Sequence, residues 1–132
     1  MILVDTSVWV DLLRRKDGAW PDADQLLNFV TCGPIIQEVL QGLLESPRTG
    51  LFREDFLAIT RLSDPVPEAV FLQAAEIYRQ GRQKGYTIRS STDCLIAAIA
   101  IQNNVPVRHR DRDYSAIARF TCLRPYTGTT SR

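Results

Sequence analysis

The sequence predicts an α/β fold in which an open β-sheet is covered by helices. Residues 1–4 form a short apolar run that stops at Asp5, which is typical of a buried strand. A helical pattern follows at once, as in the first half of an open α/β sheet. Residues 94–101 are uninterruptedly apolar, which indicates a helix buried on all sides, and a second short apolar run follows at 105–107.

Turn-forming residues divide the first half of the chain into helical segments. Asp17-Gly18 and Ser46-Pro47 are breaks, since glycine favours turns and proline cannot continue a helix. Between the breaks, apolar residues recur at helical spacing. We therefore predict helices at residues 8–13, 21–30, 35–45 and 51–61, with a short apolar stretch at 32–35 leading into the third.

The second half shows the same kind of pattern. Pro67 opens a long amphipathic helix that ends at Gln83, before Lys84-Gly85. Several N-cap candidates at residues 90–93 precede the apolar helix, which Asn103-Asn104 ends. The remaining predictions are a strand at 105–107, a helix at 114–119, a strand at 120–123 and a polar tail. Because no linker or repeat interrupts the pattern, residues 1–132 are predicted to form a single domain.

Composition places the chain among ordinary globular proteins. It has 132 residues, of which 45% are hydrophobic and 23% charged. No apolar run is long enough to span a membrane and no basic segment precedes the first one, so we expect a cytoplasmic protein without membrane association. Cys32, Cys94 and Cys122 show no CxxC spacing, which argues against a disulfide framework or a zinc site. We expect all three to be small buried thiols.

Basic residues are unevenly distributed, although the net charge is only +1. Nearly all are arginine, which suits bidentate contacts to phosphate. One group lies in the acid-free stretch between Glu76 and Asp93, and another interleaves with the acids near residue 110. The candidate phosphate contacts are Arg82, Lys84, Arg89, Arg108, Arg110 and Arg112.

Two acids occupy positions typical of a site in an α/β fold. Asp5 ends the first strand, and ligands bind such sheets at the carboxyl ends of the strands. Its alternative role is to cap the next helix. Asp93 begins the apolar helix, where a carboxylate is also favoured by the helix dipole alone.

Three further acids are less distinctive. Glu38 lies at the edge of the apolar face of its helix, beside Gly42, and a solvated flank is its usual interpretation. Asp111 and Asp113 follow the strand at 105–107, where they suit either a turn or metal ligation. Carboxylates that converge without histidine or thiolate select Mg²⁺ or Mn²⁺. Such ions polarise a phosphoryl oxygen and lower the pKa of a bound water, so the chemistry predicted is phosphodiester hydrolysis.

Four motifs in order resemble the PIN-domain ribonucleases, and more narrowly the VapC toxins of toxin–antitoxin pairs. They are residues 1–9 (MILVDTSVW), 38–42 (EVLQG), 91–98 (STDCLIAA) and 109–118 (HRDRDYSAIA). The resemblance implies an α/β/α sandwich around a mainly parallel sheet, usually as a homodimer. It also implies endonucleolytic cleavage of RNA, often tRNA or ribosomal RNA, which stops translation and growth. An antitoxin whose C-terminal segment plugs the site is the implied partner.

By this resemblance, Asp5, Glu38 and Asp93 are catalytic metal-site acids, with Asp111 or Asp113 as the fourth. Thr6 or Ser7 would orient Asp5 by hydrogen bonding. The chain departs from the family at His109, where a small hydroxyl residue is common, and at Tyr114, where phenylalanine is more usual. His109 is either a contact to RNA or to a water near the metal, or a structural donor.

Two other classes compete with this interpretation. Aspartyl-phosphate phosphatases also begin with an apolar strand ending on aspartate. They require a second acid two residues on, where this chain has Ser7, and a lysine near their third motif, which is absent. A PIN-like scaffold that binds RNA or a partner without cutting is the non-enzymatic alternative, and acids at all four motifs count against it.

Overall fold

The computed structural model describes residues 1–14, 20–43 and 47–127. Within these ranges a four-stranded sheet is flanked by helices in an α/β/α arrangement, as predicted. The strands are β1 (Ile2–Val4), β2 (Phe29–Thr31), β3 (Thr60–Arg61) and β4 (Val107–Arg108). The helices are α1 (Thr6–Arg14), α2 (Ala23–Asn28), α3 (Gly33–Gln41), α4 (Pro47–Leu57), α5 (Glu68–Gln83), α6 (Ser91–Gln102) and α7 (Arg112–Phe120). None of these helices combines the length and apolar character needed to cross a bilayer.

The order of the strands places a crevice beside β1. The sheet runs β3-β2-β1-β4 and every neighbouring pair is parallel. The chain moves outward from β1 to β2 and β3, then returns to place β4 on the opposite side of β1. The switch point therefore lies between β1 and β4, and ligands bind such sheets at the carboxyl ends of these strands. Asp5 follows β1 at this edge, and the segment from His109 follows β4.

Buried aromatic rings hold the end of β1 against α1. Trp9 is fully buried, and its indole N–H donates to the carbonyl of Val4 at 3.2 Å. Its ring contacts those of Phe29, Phe52 and Phe56 with centroids 5.2 to 6.1 Å apart. Aromatic pairs at such separations contribute about 0.5–1.5 kcal/mol each beyond the burial of their area. Trp9 is thus a packing residue that fixes where Asp5 emerges from the sheet.

The all-apolar helix is central, as predicted. In α6 the residues from Asp93 through Ala100 are buried apart from Leu95, and Asn103 caps the C-terminal end. The hydroxyl of Ser90 caps the N-terminus by accepting a hydrogen bond from the backbone N–H of Asp93 at 3.2 Å. Because Ser90 fills the capping role, the side chain of Asp93 is left for other contacts.

Three helix predictions run past the observed helix ends. The helix predicted at 35–45 ends at Gln41, with Gly42 as its C-cap. The helix predicted at 21–30 ends at Asn28, since Phe29–Thr31 forms the buried strand β2. The helix predicted at 51–61 ends at Leu57, and Thr60–Arg61 is instead the edge strand β3. The backbone N–H of Leu62 extends this pairing by donating to Thr31 at 2.8 Å. In the last two segments, hydrogen bonding to a neighbouring strand outweighs local helical periodicity. The local pattern does not reveal this pairing, because the partner strand is distant in the sequence.

The strand predicted at 120–123 is wrong. Helix α7 continues to Phe120, whose ring stacks on Tyr86 with centroids 5.4 Å apart. Among the described residues only a single bridge, between Val107 and Pro125, extends the sheet beyond it. The expectation of buried thiols holds for Cys32 and Cys94, but Cys122 is exposed because it lies beyond the packed end of α7. The predictions at residues 15–19, 44–46 and 128–132, including the break at Asp17-Gly18, lie outside the described residues.

Candidate metal centre

Asp5 is held by hydrogen bonds at both of its carboxylate oxygens. It lies directly after β1 and is only 4% exposed. Its Oδ2 accepts from the backbone N–H of Ser7 at 3.0 Å and from the Ser7 hydroxyl at 2.6 Å. Its Oδ1 accepts from the hydroxyl of Tyr114 at 2.7 Å. These hydrogen bonds keep the carboxylate in one orientation. Thr6 or Ser7 is predicted to orient Asp5, and Ser7 is the residue that makes the contact.

Glu38 is held by the other hydroxyl residue. The Thr6 hydroxyl donates to Oε1 of Glu38 at 2.9 Å, joining the start of α1 to α3. Burial raises the pKa of Glu38, and the negative charges of Asp5 and Asp111 raise it further. Glu38 is therefore half-buried and tied to Thr6, the residue after Asp5, rather than forming a solvated flank. Gly42 is the C-cap of α3, so the Thr6 contact, and not space beside Gly42, positions this glutamate.

Asp93 is the acid of this cluster whose ionised form is least favourable. It lies in the first turn of α6 and is 5% exposed, and its Oδ2 has no hydrogen-bond partner among the described residues. Its pKa is raised from 3.8 to about 8, chiefly by burial and further by the charges of Asp111, Asp5 and Asp113. A buried carboxylate oxygen without a partner is costly, because it has lost its hydration without replacement. This oxygen is the strongest indication that the site takes a cation.

Asp111 and Asp113 complete the cluster from the start of α7. Asp111 caps that helix, with its Oδ1 accepting from the backbone N–H of Asp113 at 2.9 Å. Oδ2 of Asp113 accepts from the backbone N–H groups of Arg89 and Ser90, both at 3.0 Å. One carboxylate oxygen from each of Asp93, Asp111 and Asp113 lies within 4.8 Å of the other two. The D-x-D segment is thus both a helix cap and part of the acidic cluster.

Some of the basic residues predicted to contact phosphate already have a partner within the chain, and others are exposed. Arg110 pairs with Asp11 at 3.3 Å, and the guanidinium of Arg108 lies over the ring of Phe29. Arg89 and Arg112 are exposed and adjoin the acids in sequence. The other two, Arg82 and Lys84, are exposed at the C-terminal end of α5, where Arg82 lies 5.9 Å from the ring of Tyr78.

His109 is a packed neighbour of the site. Its ring centroid lies 5.0 Å from that of Tyr114, and its Nδ1 accepts from the backbone N–H of Asp111 at 3.3 Å. Burial lowers the pKa of His109, although the carboxylates of Asp5 and Asp111 act in the opposite direction. The accepting Nδ1 assigns the ring hydrogen of the neutral form to Nε2. The geometry gives His109 a definite structural contact with the segment that carries Asp111.

Sequence reasoning did not recognise Tyr114 as part of the site. Its side chain is fully buried, and burial together with Asp5 and Asp93 raises the pKa of its hydroxyl well above the ordinary value. The hydroxyl is therefore a permanent hydrogen-bond donor. The one signal in the sequence is a tyrosine following directly on the D-x-D segment, where a phenylalanine would fill the same space without a donor.

The donor set fits a hard divalent cation. The acids come from four separate segments: Asp5, Glu38, Asp93, and the pair Asp111 and Asp113. The charges of Asp5 and Asp111 raise the pKa of both Glu38 and Asp93, and the charge of Asp113 also raises that of Asp93. Oxygen ligands of this kind suit Mg²⁺ or Mn²⁺. The nearby thiols do not compete, because burial raises the pKa of Cys32 to about 12 and that of Cys94 to about 11. The unpartnered oxygen of Asp93 gives such an ion a place in the cluster.

Known proteins similar to the chain have this architecture. The PIN domain family model matches residues 2–120. Ribonuclease VapC11 of Mycobacterium tuberculosis is 38% identical over 130 residues, spanning 93% of this chain and 96% of the relative. Among solved structures, FitAB bound to an IR36 DNA fragment superposes with a TM-score of 0.68 at 23% identity, covering 96% and 94% of the two chains. VapBC-1 from nontypeable Haemophilus influenzae gives 0.67 at 16% identity, covering 96% and 97%.

Proposed function

This chain belongs to the PIN domain family as a VapC-type endoribonuclease toxin, and we propose that its clustered acids hold the Mg²⁺ or Mn²⁺ on which RNA hydrolysis depends. The observation that carries the metal proposal is the unpartnered, buried oxygen of Asp93 among other carboxylates. Without a cation this arrangement is costly, and a divalent ion removes both the repulsion and the unsatisfied oxygen.

Four acids would hold the ion, and a fifth would position them. Asp5, Glu38, Asp93 and Asp111 are the proposed ligands. Asp113 has one oxygen occupied by the backbone N–H groups of Arg89 and Ser90, so we assign it mainly to fixing the segment before α6. Asp111 keeps its Oδ2 free of the contact that caps α7, and its charge acts on both Glu38 and Asp93. When bound, the ion would supply charge stabilisation to the phosphoryl oxygens and lower the pKa of a water.

The chain's own residues would orient the substrate and the ligands. Ser7 and Tyr114 hold Asp5, and Thr6 holds Glu38, so little reorganisation of these carboxylates is needed. Arg89 and Arg112 are exposed beside the acids and are the first candidates to bind RNA phosphates. Arg82, Lys84, Arg108 and Arg110 would extend this contact along the strand.

The biological setting follows from the family. We propose tRNA or ribosomal RNA as the substrate, cleavage of which inhibits translation and growth in the cytoplasm. We also propose a homodimer and a cognate antitoxin that neutralises the enzyme by occupying its site. The acidic cluster favours an antitoxin segment carrying a basic residue, because a cation placed there would relieve the same repulsion that a metal ion relieves.

RNA cleavage by matched variants tests the proposal. Asp5→Asn and Asp93→Asn should lose most activity in Mg²⁺, and Asp55→Asn, an exposed acid on α4, should retain it. Activity of Asp5→Asn and Asp93→Asn at the unsubstituted level would exclude the mechanism. Calorimetric titration with Mn²⁺ distinguishes the enzyme from a PIN-like scaffold, which would bind no metal at this site.

The phosphatase alternative is disfavoured by the contacts of Asp5. Three donor groups, the backbone N–H and hydroxyl of Ser7 and the hydroxyl of Tyr114, hold Asp5 in one orientation, which suits a fixed ligand better than an attacking nucleophile. Ser7, at the position of the second acid in that class, serves as a donor to Asp5. Failure of the protein to release phosphate from a small phosphomonoester, alongside RNA cleavage, is the expected outcome.

A further inference from the structure

We propose that Tyr114 is a positioning residue that fixes Asp5 as a metal ligand with a single open coordination direction. The inference rests on the proposed metal site and goes beyond it by assigning a role to a side chain that is not itself a ligand. Tyr114 lies on α7 and Asp5 directly after β1, so their hydrogen bond of 2.7 Å joins residues 109 positions apart.

The hydrogen bonds of Asp5 limit how it can bind an ion. A carboxylate offers about four lone-pair directions, two on each oxygen. The backbone N–H and hydroxyl of Ser7 occupy those of Oδ2, and the Tyr114 hydroxyl occupies one on Oδ1. One direction on Oδ1 is left for a cation. Asp5 is thereby prepared as a monodentate ligand whose orientation is set before the ion arrives.

The contacts of Tyr114 make it a rigid anchor. Its side chain has no exposed surface, and its ring lies against that of His109. Asp93 is close enough to raise the pKa of the same hydroxyl. Tyr114 is thus hydrogen-bonded to Asp5 and lies near Asp93, whose Oδ2 has no hydrogen-bond partner among the described residues. Loss of its hydroxyl would leave Oδ1 of Asp5 without this donor and allow the carboxylate to turn.

Mn²⁺ binding to the metal-free chain, measured by calorimetry, tests this role. Tyr114→Phe keeps the ring and removes the hydroxyl, and Tyr78→Phe, at a half-buried position on α5, is the matched control. Removing a group that orients a ligand typically weakens metal binding or activity roughly 10- to 100-fold. We expect a loss of that size for Tyr114→Phe and none for Tyr78→Phe. In RNA cleavage, kcat should fall for Tyr114→Phe while KM stays near that of the unsubstituted chain.

A merely structural tyrosine would behave differently. Its replacement would lower the unfolding temperature in EDTA and leave the Mn²⁺ dissociation constant of the folded protein unchanged. Equal or tighter Mn²⁺ binding by Tyr114→Phe therefore overturns the inference and leaves the metal site intact. If the unsubstituted chain itself binds no Mn²⁺, or Asp93→Asn binds it equally well, the proposed metal site fails and the role of Tyr114 fails with it.

Discussion

The hydroxyl of Ser7 donates a hydrogen bond of 2.6 Å to Oδ2 of Asp5. The same hydroxyl oxygen accepts one from the backbone N–H of Arg110 at 3.1 Å. Ser7 therefore ties the segment after β1 to the segment after β4, across the switch point of the sheet. One small side chain therefore links the two sides of the crevice and also orients a proposed metal ligand.

Ser7→Ala should reduce RNA cleavage roughly tenfold or more, because Asp5 loses one of its donors and the two segments lose their link. Initial rates at saturating RNA measure the effect. Ser115→Ala, at an exposed serine on α7, is the control and should retain full activity. Equal rates for Ser7→Ala and Ser115→Ala would show that the Ser7 hydrogen bonds do not support the site.

In EDTA, the stability of the protein should fall as pH rises from about 4 to about 8. The pKa of Asp93 is raised from 3.8 to about 8 in the folded chain, so the folded state holds this proton more tightly than the unfolded state. Below both values the carboxyl is neutral in both states and costs nothing. Above pH 3.8 the unfolded chain ionises freely, and the folded chain loses relative stability until its own pKa is passed.

Asp93→Asn should flatten this dependence, because the amide carries no ionisable proton. The unfolding temperature in EDTA, followed by circular dichroism across that pH range, measures it. At a pH of about 8 we expect the variant to be more stable than the unsubstituted chain without metal and to gain less from added Mg²⁺. Parallel pH profiles for the two proteins would contradict this account of Asp93.

Substitutions should show that Asp111 and Asp113 have different roles, with Asp111 as a metal ligand and Asp113 as a positioning residue. Asp111→Asn keeps a good helix cap for α7 and should weaken Mn²⁺ binding with little change in stability. Asp113→Ala removes the acceptor of two backbone N–H groups and should lower the free energy of unfolding by about 2–3 kcal/mol. Urea unfolding and Mn²⁺ titration of both variants measure the difference. The reverse pattern would make Asp113 the fourth ligand.

Replacing Arg89 and Arg112 by alanine should weaken RNA binding in a salt-dependent way. For single-stranded RNA, each phosphate that an arginine no longer neutralises reduces the slope of log K against log salt by about 0.7. Fluorescence anisotropy with catalytically inactive Asp93→Asn protein measures the slope. Arg53→Ala, on α4, serves as the control with an unchanged slope. If the double variant has the same slope as Arg53→Ala, Arg89 and Arg112 do not contact the RNA.

Gly81→Ala should destabilise the fold, because a Cβ on Gly81 would lie 2.5 Å from Cδ1 of Ile88 and 3.3 Å from Cζ of Phe120. Ile88 is itself buried and has little room to shift, and overpacking of this kind typically costs about 1–3 kcal/mol, of which the gain in helix propensity of about 1 kcal/mol offsets only a part. Gly50→Ala is the matched control, since nothing lies within 4 Å of its Cβ and alanine is favoured in a helix by about 1 kcal/mol. Thermal unfolding should therefore shift in opposite directions for the two variants.

The sequence predicts the parts of this fold that local patterns encode. The apolar run before Asp5 and the all-apolar helix after Asp93 are strand β1 and helix α6. Strand β3 is not predicted, because two residues carry almost no periodic signal. Its existence depends on pairing with β2, which no local pattern reveals.

In the candidate site too, local patterns reveal some features, and others depend on contacts between distant parts of the chain. The acids could be found individually, since each stands at the end of a strand or the start of a helix, or at the edge of an apolar face. The local partner of Asp5, Ser7, could be predicted as well, but the partners that are distant in the sequence could not. The pairing of Thr6 with Glu38, and of Tyr114 with Asp5, joins residues far apart in the chain and requires the packing of α1, α3 and α7 around the sheet.

Diffraction from crystals grown with Mn²⁺, recorded near the manganese absorption edge, tests the central claim most directly. The account predicts an anomalous peak within coordination distance of carboxylate oxygens from Asp5, Asp93 and Asp111. Crystals grown in a saturating concentration of Mn²⁺ that show no anomalous peak among these side chains would contradict the account.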